Sequence, residues 1–118
     1  PRGANVSGKS KAVYRVTVEI APESEQAWVR WQTDEHIPAV VEQPGFLGAT
    51  LWKDRERAAD GWARYVIHYR SESLAAIEAY RASPAAAHLR DDHTKKYGKV
   101  TRITRGVLGE PVFIGPQD

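Results

Sequence analysis

The run Trp62-Ala63-Arg64-Tyr65-Val66-Ile67-His68-Tyr69-Arg70 alternates at every step, with Ala63, Tyr65, Ile67 and Tyr69 on one side and Trp62, Arg64, Val66 and His68 on the other. It reads as a strand, and its second side mixes large apolar groups with charged ones. Upstream, Phe46 to Lys53 alternates too, setting Leu47, Ala49 and Leu51 opposite Phe46, Gly48, Thr50 and Trp52. The charged stretch Asp54 to Gly61 joins the two strands, so they form a hairpin. A further alternating run, Ala12 to Ile20, places Tyr14, Val16, Val18 and Ile20 opposite Val13, Arg15, Thr17 and Glu19.

Between the first two strands, Pro22 suits a helix start, and Ala27, Trp31, Pro38 and Val41 recur on one side, flanked by Trp28 and Ile37. The helix runs to about Gln43, before the turn Pro44-Gly45. Pro38 has no amide for the Asp34 carbonyl and crowds it, so a kink is expected at Ile37–Pro38, with Ile37 leaving helical angles. After the hairpin, Ser71 is the expected N-cap of a helix carrying Leu74, Ile77 and Tyr80. Ser83-Pro84 restarts a second piece that ends near Tyr97-Gly98. The last strand is expected over Lys99 to Leu108, with Ile103, Arg105 and Val107 opposite Arg102 and Thr104.

A chain of 118 residues, 42% hydrophobic and 27% charged, is sized and composed for one globular core. Residues 1–11 read as a flexible basic segment, 12–108 as the domain, and 109–118 as a tail. In that tail Val112-Phe113-Ile114 either adds an edge strand or lies on the surface. The net charge of +2 is scattered rather than striped among aromatics, so no nucleic-acid partner is expected. No apolar run spans a bilayer and none resembles a secretory signal, so neither a membrane partner nor export is expected and the localisation reads as cytoplasmic. The lack of cysteine removes disulfides and thiolate chemistry. There is no phosphate-cradling glycine loop or nucleotide fingerprint, so a nicotinamide or flavin enzyme of ordinary type is disfavoured and no cofactor is expected.

The element order βαββαβ is that of an α+β, ferredoxin-like sandwich, a four-stranded antiparallel sheet with its helices on one face. The other face gathers Val13, Phe46, Trp52, Trp62 and Val66 with Arg15, Thr17, Glu19, Thr50, Arg64 and His68. That is too apolar to leave wet and too charged for a dry core, which points to a homodimer stacked sheet to sheet around a small cavity. With Trp31-x4-His36-x-Pro38, Tyr65-Val66-Ile67-His68-Tyr69 running into Ser73-Leu74, and Leu89-Arg90 before Tyr97-Gly98, the chain resembles the dimeric α/β-barrel superfamily over about Ala12 to Leu108. It is most similar to short uncharacterised members, and more distantly to antibiotic-biosynthesis monooxygenases and ether-degradation-type proteins.

That resemblance implies a homodimer with a small-molecule pocket between sheet and helices or inside the barrel. It implies chemistry ranging from cofactor-free oxygenation to cyclisation, isomerisation or haem degradation. The haem-degrading branch uses an asparagine on its first strand; the only asparagine here is Asn5, so that branch is disfavoured.

His68, with Arg64 four residues away on the same side and Thr17 and Thr50 nearby, could move a proton beside an enolic oxygen, or could be a satisfied histidine in the dimer contact. His36 points to solvent on an undistorted helix and turns inward only if the Pro38 kink rotates it. Glu35 lies nearer the stripe and reads as an arginine partner before it reads as a base. Trp28 and Trp31 read first as core, Trp52 and Trp62 as cavity lining or dimer contact. His88, Asp92 and His93 read as a solvated helix surface rather than a metal site. The preferred function is therefore a cofactor-independent enzyme that transfers protons on an aromatic, polyketide-like or enolisable substrate. In it His68 or His36 is the acid/base, Arg64 the oxyanion partner, and Thr17, Thr50, Trp31, Trp52 and Tyr65 the binding groups. The alternatives are a cofactor-free monooxygenase, in which the tryptophans and Tyr65 hold the substrate, and a non-catalytic metabolite-binding dimer.

Overall fold

The computed structural model describes residues 10–116; most of the expected basic segment, and Asn5 with it, lies outside them. The strands are β1 (Ala12–Ile20), β2 (Phe46–Lys53), β3 (Ala63–Ser71) and β4 (Thr101–Gly109), all antiparallel in the order β2-β3-β1-β4. The helices are α1 (Glu25–Trp31) and α2 (Ile37–Val41) in the first crossover, and α3 (Leu74–Arg81) and α4 (Pro84–Tyr97) in the second. This is the ferredoxin-like α+β fold. Its core is the helix-covered face, where Tyr14, Val18, Ile20, Tyr65, Ile67 and Tyr69 meet Trp28, Val40, Ile77 and Tyr80.

The first crossover departs from a kinked α-helix. Between α1 and α2 the backbone makes a π-helical turn over Gln32–His36, in which the Ile37 amide reaches the Gln32 carbonyl five residues back. Widening the turn makes room for the Pro38 ring, so Ile37 keeps helical angles (φ −61°, ψ −45°) rather than leaving them. The extra residue also rotates α2 relative to α1. Val40 is the buried residue of α2, while Pro38 is exposed; on α1 the larger Trp28 takes the core position expected for Ala27, which is exposed.

Ser71 ends β3 and its hydroxyl sits 3.1 Å from the Gly45 carbonyl, whereas Ser73 caps α3 by accepting from the Ala76 amide at 3.0 Å. Helix α4 is capped as expected, Ser83 accepting from the Ala86 amide at 3.1 Å with Pro84 behind it. In β2, a register shift between Phe46 and Gly48 moves Phe46 onto the helix-covered face, where its ring stands 5.2 Å from that of Tyr80 and 5.8 Å from that of Tyr69. Leu47 is left exposed by the same bulge, and the rest of β2 keeps its expected alternation. The tail beyond β4 lies on the surface without joining the sheet; Val112 and Ile114 are exposed.

Candidate functional site

Strand register determines what the open face of the sheet presents. Reading across β2, β3, β1 and β4, one row is Gly48, Arg70, Val13 and Leu108, the next Thr50, His68, Arg15 and Gly106, the third Trp52, Val66, Thr17 and Thr104. A fourth row carries Arg64, Glu19 and Arg102. The two ends of this face differ in kind. At the fourth row Glu19 holds Arg64 at 3.1 Å and Arg102 at 2.8 Å, while Asp54 takes the other side of Arg64 at 3.3 Å and Asp60 that of Arg102 at 2.9 Å. Trp62, just ahead of β3, lies under the Arg102 guanidinium at 4.0 Å. This end is a closed ion-pair network, and those guanidiniums hold the carboxyls of Glu19 and Asp60 below the usual range.

At the other end lies a cavity of about 420 Å³, walled by Val13, Thr50, Trp52, His68 and Arg70 and roofed by Phe113 of the tail. The Arg70 guanidinium donates to the Thr50 hydroxyl at 2.6 Å, and its Nε is buried without an acceptor. Burial, reinforced by Arg15 and Arg70, lowers the His68 pKa below the ordinary histidine value, so its imidazole is neutral at pH 7 and free to take a proton. Trp52 is 56% exposed and Leu108 45%, an apolar rim around polar groups.

The remaining candidates lie behind the sheet. Tyr65 faces the helices and donates to Glu25 Oε2 at 2.6 Å, with Lys53 at 2.8 Å from the same oxygen. Burial first, then the Glu25 bond, pushes its phenol well above the ordinary range. A cleft of about 660 Å³ opens beside it, but it is shallow and its carboxylate is already neutralised by Lys53 and Arg57. Trp31 belongs to a packed aromatic cluster with His36 (4.8 Å), Tyr97 (5.4 Å) and His93 (5.7 Å). The π turn rotates His36 inward, and its Nδ1 is buried without a partner; Glu35 is exposed. His93 is 4% exposed and its Nε2 accepts from Trp28 Nε1 at 3.0 Å, so the solvated surface expected for it is wrong, while His88 does stay exposed. Its signal was present in the spacing: Ala86, Leu89, His93 and Tyr97 form one stripe along α4. Burial holds His36 and His93 near pKa 4, and the neighbouring His36 opposes protonation of His93 further.

The candidates thus fall into two groups divided by the sheet: Thr17, Thr50, Trp52, Arg64 and His68 in front, and Trp31, His36 and Tyr65 behind. Arg64 stands two rows from His68, inside the ion-pair network. Among the described residues no three histidine, aspartate or glutamate side chains form a metal-binding group, and no helix is long and apolar enough to cross a membrane.

Solved structures share this architecture. A monooxygenase of Streptomyces coelicolor in complex with nanaomycin D superposes with a TM-score of 0.68 at 22% identity, over 99% of this chain and 100% of that one. The haem degrader MhuD of Mycobacterium tuberculosis, with two haems bound, gives 0.61 at 23% over 88% and 99%. An ethyl tert-butyl ether degradation family protein of Bacillus halodurans gives 0.61 at 15% over 80% and 96%. At such identities the likeness carries the fold alone. No curated protein sequence matches. A family model described as a domain of unknown function, DUF4286, matches residues 11–110, and the chain belongs to that family.

Proposed function

We propose that the protein is a small-molecule enzyme that transfers protons on an aromatic or enolisable substrate bound at the open sheet face, with His68 as general base. The observation that carries this reading is a neutral imidazole set in an apolar, aromatic-rimmed cavity between two arginines and a threonine hydroxyl. His68 takes a proton from carbon beside a carbonyl, the electron pair moves onto the carbonyl oxygen, and the neighbouring cations stabilise that oxyanion until the proton returns. The reaction needs no oxidant. A second copy stacked on this face covers Trp52, Val66 and Leu108 and closes the cavity, so the working unit is a homodimer. The S. coelicolor neighbour, a monooxygenase bound to nanaomycin D, supports oxygenation of an aromatic substrate as a second reading.

Deuterium exchange at the α carbons of 2-tetralone in D2O tests the proposal. The protein accelerates exchange, and His68→Gln lowers the rate roughly 10²–10⁴-fold while the circular dichroism spectrum is unchanged. Tetralone bound without any acceleration would make the protein a binding module, and oxygen consumption would favour the oxygenase.

A further inference from the structure

The sheet's open face carries four arginines on its strands, and they are treated in opposite ways. Arg64 and Arg102 are each held by two carboxylates. Arg15 and Arg70 pair with no carboxylate among the described residues, although they flank His68. Both lie across a glycine of the neighbouring strand. A Cβ at Gly48 would stand 2.5 Å from Arg70 Nη2, and one at Gly106 would stand 2.9 Å from Arg15 Nη2. The two glycines therefore leave room for the guanidiniums to lie flat on the sheet, Arg15 in the His68 row and Arg70 in the row next to it. The one strand carboxylate on this face is Glu19, already bound by Arg64 and Arg102, so a second copy stacked here brings no free strand carboxylate to neutralise the pair.

Arg70 in the cavity wall and exposed Arg15, the cross-strand neighbour of His68, are compensated by no carboxylate among the described residues, and together they suit an anionic ligand. Arg70 lines the cavity, and its unpaired buried Nε leaves it short of an acceptor. Trp52, Val13 and Phe113 supply apolar and aromatic walls. We infer that the ligand is an aromatic compound bearing a carboxylate, and that Arg70 and Arg15 are its anion-binding pair. This rests on placing the site at His68, and it moves the charge-binding role from Arg64 to two residues that no carboxylate among the described residues occupies.

The test compares 1-naphthoate with its neutral isostere 1-naphthamide, by isothermal calorimetry and by the His68 imidazole signals in 1H–13C spectra. The carboxylate is expected to bind at least about tenfold more tightly, as charge-assisted bonds are stronger than neutral ones. Arg70→Met and Arg15→Met should each erode that preference, and Arg70→Lys should restore part of it. Gly106→Ala, which keeps every charge but obstructs Arg15, should weaken naphthoate and leave naphthamide unchanged. Equal affinity of the two probes, or a preference that survives both methionine variants, overturns the anion site; if the probes still shift His68, the open-face reading stands. If neither probe shifts His68, both fail.

Discussion

His36 and His93 show how a residue's protonation becomes a property of the fold. Both imidazoles are held near pKa 4 by burial, against about 6.5 in an unfolded chain. Between those values the unfolded state binds more protons than the native one, so stability falls as pH drops from 6.5 toward 4 and is fully present above 6.5. Each histidine adds a slope of at most about 1.4 kcal/mol per pH unit in that window. Urea denaturation between pH 7 and pH 4.5 should show this loss. His36→Phe, which keeps a ring against Trp31, should make the curve shallower; an unchanged slope would mean His36 is already protonated in the native state. His93 was the less legible of the two, because its neighbours Asp92 and His88 read as a charged surface. Only the stripe it shares with Leu89 and Tyr97 betrays its burial.

The π turn carries the consequence of Pro38 at the scale of an element. The sequence locates the irregularity, since Pro38 must leave a carbonyl unpaired, but widening the turn and kinking it are two solutions to the same missing amide. The wider turn preserves helical angles at Ile37 and swings His36 against Trp31. Pro38→Ala restores an amide and should let the segment relax to α-helix, turning His36 outward and raising its pKa from about 4 toward 6.5 in an NMR titration. A His36 that still titrates near 4 would detach its burial from the proline. The strands were legible for a simpler reason: alternation depends only on neighbours in the chain, and β1 and β3 follow it without interruption. Phe46 escaped because a bulge changes face without any residue announcing it. Ser73 and Ser71, two residues apart, offer the same capping chemistry, and tertiary contact with Gly45 decided between them. Ser83→Ala should cost about 1 kcal/mol in chemical denaturation by unsatisfying the Ala86 amide; no loss would show that the Pro84 start suffices.

For the molecule as a whole, one sheet face is covered by its own helices and the other is not, and the proposed site lies on the uncovered one. The sequence divided the residues between these faces correctly along β1 and β3. It did not reveal that Arg64 is spent on Glu19 and Asp54, because that network joins groups from separate strands and loops. Val66 sits in the row beside His68, away from the helices, so Val66→Asp should give monomer or aggregate by multi-angle light scattering where the wild type gives dimer, an unpaired buried carboxylate costing several kcal/mol. A wild-type monomer at micromolar concentration would remove the second copy from the proposal. Whether ligands bind beside His68 on the open face is decided by mapping side-chain chemical shifts while 1-naphthoate is added. Shifts should concentrate at His68, Thr50, Arg70 and Trp52 with His36, His93 and Tyr65 unmoved; shifts confined to His36, His93 or Tyr65, with His68 unchanged, would place the ligand elsewhere and overturn the open-face site.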